Sequence, residues 1–177
     1  MSFQQIRDIL KKILIYHKEL HSCIAEVVAR ENLDLEDDGR KEWITKYVKL
    51  QSEIVTKALG QLQSQTNDRA LDTWIQYVPD EEIHRSLQKL RSIDNPSWED
   101  LLELVQSFDQ AVRNLCWTLA DQSSLPDNKE LFETLGRVSQ SFLEQTTWGM
   151  RSETTWGESP KTDLEPDDLM TDETRSI

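Results

Sequence analysis

Residues 98–119 read WEDLLELVQSFDQAVRNLCWTL, and this stretch decides the fold class. Its apolar side chains recur with gaps that alternate between three and four residues, which is the spacing of a helix face packed against other helices. The residues on this face are Trp98, Leu101, Val105, Phe108, Val112, Leu115 and Leu119. Ser97 and Asp100 have the spacing of a capping box, so the sequence predicts a helix that starts there.

Three other segments carry the same helical periodicity. The first, about residues 3–31, places Phe3, Ile6, Leu10, Ile13, His17, Leu20, Ile24 and Val27 on one face. The second, about residues 40–65, uses Trp43, Tyr47, Leu50, Ile54, Ala58 and Leu62, and the last uses Leu131, Leu135, Val138 and Phe142. The chain has only 5 glycines and 5 prolines, and it has no β-branched runs that alternate with a period of two residues. The sequence therefore predicts an all-α protein without strands.

The connections between these helices predict how they are arranged. Residues 32–39 form an acidic turn, in which Asp37 or Asp38 is expected to cap the second helix, and Asp127 is expected to cap the last one. Between the middle helices, residues 71–78 are predicted to form a short amphipathic turn or helix that ends at Pro79. Residues 80–90 begin with acids and end with bases, a charge order that favours a second short helix.

These connections favour a four-helix bundle made of two antiparallel hairpins joined by a long, partly helical crossover. An up-down bundle, in which the middle segment folds back at one end, stays open as an alternative. We assign residues 1–150 to the bundle domain. Residues 151–177 are acidic and lack periodicity, so we predict a disordered tail, with Trp148 docked on the end of the bundle and Trp156 either packed back or binding a partner.

The composition limits the possible partners and the compartment. The formal net charge is -13, from 33 acids and 20 bases, which disfavours direct binding of nucleic acids and of anionic membranes. Cys23 and Cys116 lie far apart within helical patterns, as expected of buried thiols in a reducing compartment. No signal peptide or membrane span is visible, so we expect a cytoplasmic protein.

Residues 47–59, YVKLQSEIVTKAL, resemble the second helix of the ferritin-like superfamily, which includes rubrerythrin-like proteins. In small bacterial proteins of this kind a similar helix is followed by a segment like residues 71–79, LDTWIQYVP. The resemblance covers about residues 10–147 and rests on the helix pattern more than on unique motifs. It implies the ferritin-like arrangement, in which the long crossover joins the two hairpins.

The resemblance also implies where metal ligands would stand, and most of them are missing. Members with a di-iron site carry one Glu on each of two helices and Glu-x-x-His on each of the other two. Glu53 matches the Glu of the first such motif, and Glu19 and Asp109 match the single carboxylates. Thr56 replaces the first His, and the second motif is replaced at Ser139 and Phe142. We therefore expect no metal, no cofactor and no di-iron oxidase chemistry.

Spacing alone predicts a polar layer inside the bundle. If the first hairpin turns near residue 35, His17 and Glu53 are equally distant from the turn and face each other, with Asp109 within about a turn of their level. One interpretation is a remnant site for a metal or a small ligand, formed by His17, Glu19, Glu53 and Asp109. The other is a buried His17–Glu53 hydrogen bond that fixes the helix register, which we prefer because such layers are common in bundle cores.

No pattern in the sequence predicts catalysis, so we expect a non-catalytic interaction or assembly module. Trp43, Trp74 and Trp98 lie near helix starts or in the crossover, where exposed aromatic side chains would bind a protein partner or a second copy in a homodimer. The alternative is that these tryptophans cover the bundle ends. The competing function is a ferritin-like metal-binding protein with a redox or stress-related role, and a third is an adaptor whose acidic tail binds a basic partner.

Overall fold

The computed structural model describes residues 2–30, 38–77 and 80–151. The elements are strand β1 (Ser2–Gln5), helices α1 (Ile6–Arg30), α2 (Asp38–Gln65) and α3 (Asp68–Leu71), strand β2 (Trp74–Tyr77), and helices α4 (Glu81–Ser92), α5 (Trp98–Gln122) and α6 (Pro126–Arg151). Every long element is a helix, which confirms the all-α class. None of these described helices has both the length and the apolar character that a membrane crossing requires.

Some predictions fall on parts of the chain that the structure does not describe. Most of the acidic turn, including Asp37, and nearly all of the predicted tail, including Trp156, lie outside the described residues. The side chain of Trp148 lies outside them as well. Asp38, the other candidate cap of the second helix, is the first residue of α2.

The four long helices pack in two pairs, α1 with α2 and α5 with α6. Two contacts between the pairs give the relative direction of α2 and α5. The Arg40 guanidinium lies 5.0 Å from the centre of the Trp98 ring, near the start of both helices. Further along both, Gln51 Nε2 donates to Asp109 Oδ2 over 2.9 Å. Because α2 and α5 run in the same direction, the segment between them leads from one end of the packed helices to the other.

The prediction that the chain has no strands is wrong. β1 pairs with β2 in an antiparallel two-stranded ribbon, with Phe3 opposite Gln76 and Gln5 opposite Trp74. Consequently the first helix begins at Ile6 rather than Phe3. The turn or helix predicted over residues 71–78 is the last residue of α3 followed by the strand β2, and residue 78 lies outside the described residues. Each strand has only four residues, and its hydrogen-bonding partner is distant in the sequence, so local periodicity contained no signal of it.

α4 confirms the predicted short helix, and Asp80 fastens the start of this helix to α1. The carboxylate of Asp80 accepts hydrogen bonds from the hydroxyls of Tyr16 on α1 and Tyr77 on β2. His84 Nε2 lies 3.5 Å from Asp80 Oδ1, and its ring meets the Tyr16 ring edge-on at 5.3 Å. Burial alone would raise the pKa of Asp80, but the two tyrosine hydroxyls hold it below its usual value. His84 thus takes part in the cluster around Asp80.

The helix starts show which capping predictions are right. Ser97 Oγ accepts from the Asp100 amide over 3.1 Å, and the Ser97 amide donates to Asp100 Oδ2 over 2.9 Å, so the predicted capping box is confirmed. The prediction that Asp127 caps the last helix is wrong, because α6 already begins at Pro126 and Asp127 lies in its first turn. The fixed φ of proline suits the first helical position, where no amide donor is needed.

We expect Asp80→Ala to lower the free energy of unfolding by about 2 kcal/mol at pH 7, because two partly buried tyrosine hydroxyls lose their charged acceptor. Chemical denaturation followed by circular dichroism measures this loss. Since the pKa of Asp80 is lowered in the folded state, its stabilisation is present above the ordinary carboxyl pKa and disappears as the pH falls below it. The exposed neighbour Glu81 supplies the control, and a loss equally large in Glu81→Ala would contradict this role.

Candidate functional site

Three buried polar side chains lie between the long helices. His17 on α1 and Gln51 on α2 are each 1% exposed, and Asp109 on α5 is 0% exposed. We call these three residues the polar layer. The Gln51–Asp109 hydrogen bond joins the two helical pairs inside it. One helical turn before Gln51, the Tyr47 hydroxyl donates to the carbonyl oxygen of Phe142 over 2.9 Å and ties α2 to α6.

The polar layer is electrically neutral near pH 7. Burial raises the pKa of Asp109 to about 8, although the hydrogen bond from Gln51 works in the opposite direction. Burial lowers the pKa of His17 to about 4. The carboxyl group is therefore mostly protonated and the imidazole unprotonated at neutral pH, because the packed helices stabilise neither charge.

Several polar atoms of this layer lack a hydrogen-bond partner. His17 packs edge-on against Phe108 at 5.2 Å, and its two ring nitrogens make no hydrogen bond. Gln51 Oε1 and Asp109 Oδ1 are likewise unpartnered. These atoms have no hydrogen-bond partner within the protein, and a buried polar atom left without any partner costs on the order of 1–3 kcal/mol.

The predicted hydrogen bond between His17 and Glu53 is wrong. Glu53 lies on the exposed face of α2, where its Oε1 is 4.0 Å from Lys49 Nζ. The inner face of this helix carries Gln51 instead. The signal was present in the sequence, since Gln51 follows Tyr47 by four positions and precedes Val55 by four, and both of these are buried. A glutamine inside an apolar face is easily passed over in favour of a nearby carboxylate.

The remaining positions that match di-iron ligands are also dispersed. Glu19 lies at the surface, with its Oε2 3.3 Å from Arg91 Nη2 on α4. Of the three matched carboxylates, only Asp109 reaches the interior. Within residues 2–30, 38–77 and 80–151, no three His, Cys, Asp or Glu side chains come together as metal ligands would. The arrangement does not fit a di-iron centre, which needs carboxylates from all four helices around one point.

Of the three tryptophans expected near helix starts, two pack on the helices and one is exposed. Trp43 stacks on Tyr47 with ring centres 5.1 Å apart, and Trp98 lies under Arg40. Trp74 on β2 is 63% exposed, and Phe3 on β1 is 61% exposed. These two aromatic side chains share the outer face of the ribbon, which is a second candidate site.

The polar layer predicts a pH dependence of stability. Folding raises the pKa of Asp109 from its ordinary value of 3.8 to about 8. At pH values between these two, Asp109 is deprotonated in the unfolded chain but protonated in the folded chain. The free energy of unfolding therefore falls as the pH rises through this range. We expect Asp109→Asn to remove this fall, which amounts to about 1.4 kcal/mol per pH unit for one proton. Denaturant titrations of both proteins between pH 6.5 and 8, the range above the ordinary His17 pKa of 6.5, measure the difference.

His17 supplies the matched control with the opposite sign. Its pKa is lowered on folding, so its contribution to stability rises with pH between about 4 and 6.5. His17→Leu removes this rise and leaves the Asp109 effect intact. If the free energy of unfolding changes with pH in the same way in wild type and in Asp109→Asn, then Asp109 keeps an ordinary pKa in the folded protein.

We expect protein purified without an affinity tag to contain only substoichiometric iron, manganese or zinc, because the matched carboxylates point away from one another. Mass-spectrometric elemental analysis measures the content, and a chelator should leave the melting temperature unchanged. One bound metal per chain that disappears in Asp109→Asn, but not in Glu53→Gln, would contradict this expectation.

Comparison with protein-family models, with curated proteins and with solved structures gives no match to this chain. The polar layer and the ribbon are therefore the features of this chain that bear on its function. The polar layer offers neutral groups inside a packed interior, and the ribbon offers aromatic side chains at the surface. Only the second of these is in direct reach of another molecule.

Proposed function

We propose that this protein is a non-catalytic interaction or assembly module that binds other proteins through the outer face of its ribbon. The observation that carries this proposal is the exposure of Phe3 and Trp74 side by side on a chain of net charge -13. Isolated apolar side chains are normal at a protein surface, but a paired aromatic patch within an uncharged segment is typical of a binding surface.

The chemistry of the interior supports a binding role over catalysis. Asp109 and His17 are neutral and enclosed, so neither is placed to exchange protons with a substrate in solution. The surface cluster around Asp80 holds its carboxylate between two tyrosine hydroxyls and thereby fastens the crossover. In both places the titratable groups have a structural use.

A ferritin-like arrangement of the helices and a cytoplasmic location belong to the same proposal. The common direction of α2 and α5, with a crossover between them, supports the arrangement. Cys23 and Cys116 are both free and buried, which is compatible with a reducing compartment. The acidic charge favours protein partners over nucleic acids and anionic membranes.

The second candidate is a metal-binding protein with a reduced site. The nitrogens of His17 and the oxygens of Gln51 and Asp109 that have no partner within the protein favour it, because all of them are buried. The elemental analysis described above tests this candidate directly, since stoichiometric metal would support it.

Photo-crosslinking in the source cells tests the interaction module. We expect p-benzoylphenylalanine in place of Trp74 to form a protein adduct on irradiation, because this position lies within the proposed binding face. The same group in place of Ile15, which is 50% exposed on α1, is the control and should form little adduct. Equal adduct formation at both positions, or none at either, would count against the proposal.

A further inference from the structure

We propose that the partner of the ribbon is a second copy of this chain, and that two copies pack with their ribbon faces together in a symmetric dimer. This inference rests on the proposed function and identifies the partner in it. We call the side chains of Phe3, Gln5, Trp74 and Gln76 the ribbon face, because strand alternation and the pairing register place these four on one side. The opposite side, with Ile75 and Tyr77, is buried on the helices.

The charge distribution favours a second copy at this place. None of the eight residues of β1 and β2 is charged, whereas the whole chain carries -13. Next to the ribbon, Arg7 pairs with Asp68 at 3.3 Å and with Asp72 at 3.2 Å, so its positive charge offsets one of these two negative charges. Two such acidic molecules repel each other over most of their surfaces, and the ribbon face is a part that they can bring together without opposing like charges.

The strands also lack the features that usually keep ribbons apart. Natural strands at the edge of a sheet are commonly protected by lysine, proline or a bulge. The sequences SFQQ and WIQY contain neither residue, and their pairing register is continuous.

The geometry of the ribbon face suits an isologous contact. Phe3 lies opposite Gln76 and Trp74 lies opposite Gln5, so the two aromatic side chains are diagonal neighbours. A two-fold axis in the contact plane, perpendicular to the Phe3–Trp74 diagonal, places Phe3 of each copy against Trp74 of the other. The glutamines then meet at the other diagonal, where their amides form hydrogen bonds.

The small size of the face implies a weak dimer. Stable interfaces bury about 800 Å² per partner, and two four-residue strands supply less. We therefore expect a dissociation constant on the order of 10 µM. Screening by added salt should strengthen the dimer, because the repulsion between the two acidic copies is reduced.

Sedimentation velocity of the purified full-length chain from about 1 to 300 µM tests this inference. We expect a concentration-dependent monomer–dimer equilibrium, weakened at least about tenfold by Phe3→Ser or Trp74→Ser. Ile15→Ser and Leu125→Ser are matched controls, since these residues are 50% and 42% exposed elsewhere, and both variants should dimerise like wild type. Circular dichroism of each variant confirms that it is folded.

A disulfide experiment tests the geometry of the contact. Mixing the Phe3→Cys and Trp74→Cys variants under mild oxidation should give a covalent heterodimer, while the native Cys23 and Cys116 stay buried. Ile15→Cys mixed with Leu125→Cys should not crosslink. A wild-type chain that stays monomeric at every concentration and salt level, or a dimer insensitive to Phe3 and Trp74, would overturn the inference. If the chain is monomeric but Trp74 photo-crosslinks another protein, the proposed function stands and only the second copy is ruled out.

Discussion

The hydrogen bond from Gln51 to Asp109 is the constraint on which the helical packing depends. It joins α2 to α5, which belong to different helical pairs, and the Tyr47–Phe142 hydrogen bond between α2 and α6 is a second polar contact across these pairs. Apolar contacts are non-directional and tolerate sliding of one helix along another, whereas a buried amide–carboxyl pair has one favourable register. Because both partners are fully enclosed, any shift between α2 and α5 would leave two further polar groups unpaired.

This bond also explains the chemistry of the interior. Asp109 is held in its neutral form by burial, since the packed helices offer it an amide but no cation. His17 faces the rings of Phe108 and Phe142 and is neutral for the same reason. A protonated carboxyl and an unprotonated imidazole can be enclosed among apolar side chains without a counter-charge, because neither group carries a charge.

The crossover determines what the molecule presents to its surroundings. The hydrogen bond from Tyr16 to Asp80 holds the start of α4 against α1. The second strand of the ribbon, β2, comes shortly before Asp80 along the chain. Ile75 and Tyr77 are buried by this attachment, so the alternation of the strand turns Trp74 outwards. The exposed aromatic face is thus a consequence of how the crossover is anchored, and a helix in the same place would have distributed these side chains differently.

The sequence by itself determined the helices, because the three-four spacing of residues such as Leu101, Val105 and Phe108 and the Ser97–Asp100 capping box are local features. It also determined that Asp109 lies in a helix with a strong apolar face. The spacing of Gln51 from Tyr47 and Val55 places it on their face of α2, but only the tertiary structure decided that this face meets Asp109, since the meeting depends on the rotation of α2 against its neighbours. The ribbon likewise follows from pairing between segments that are far apart in the chain, and a four-residue strand has no local period that reveals its partner.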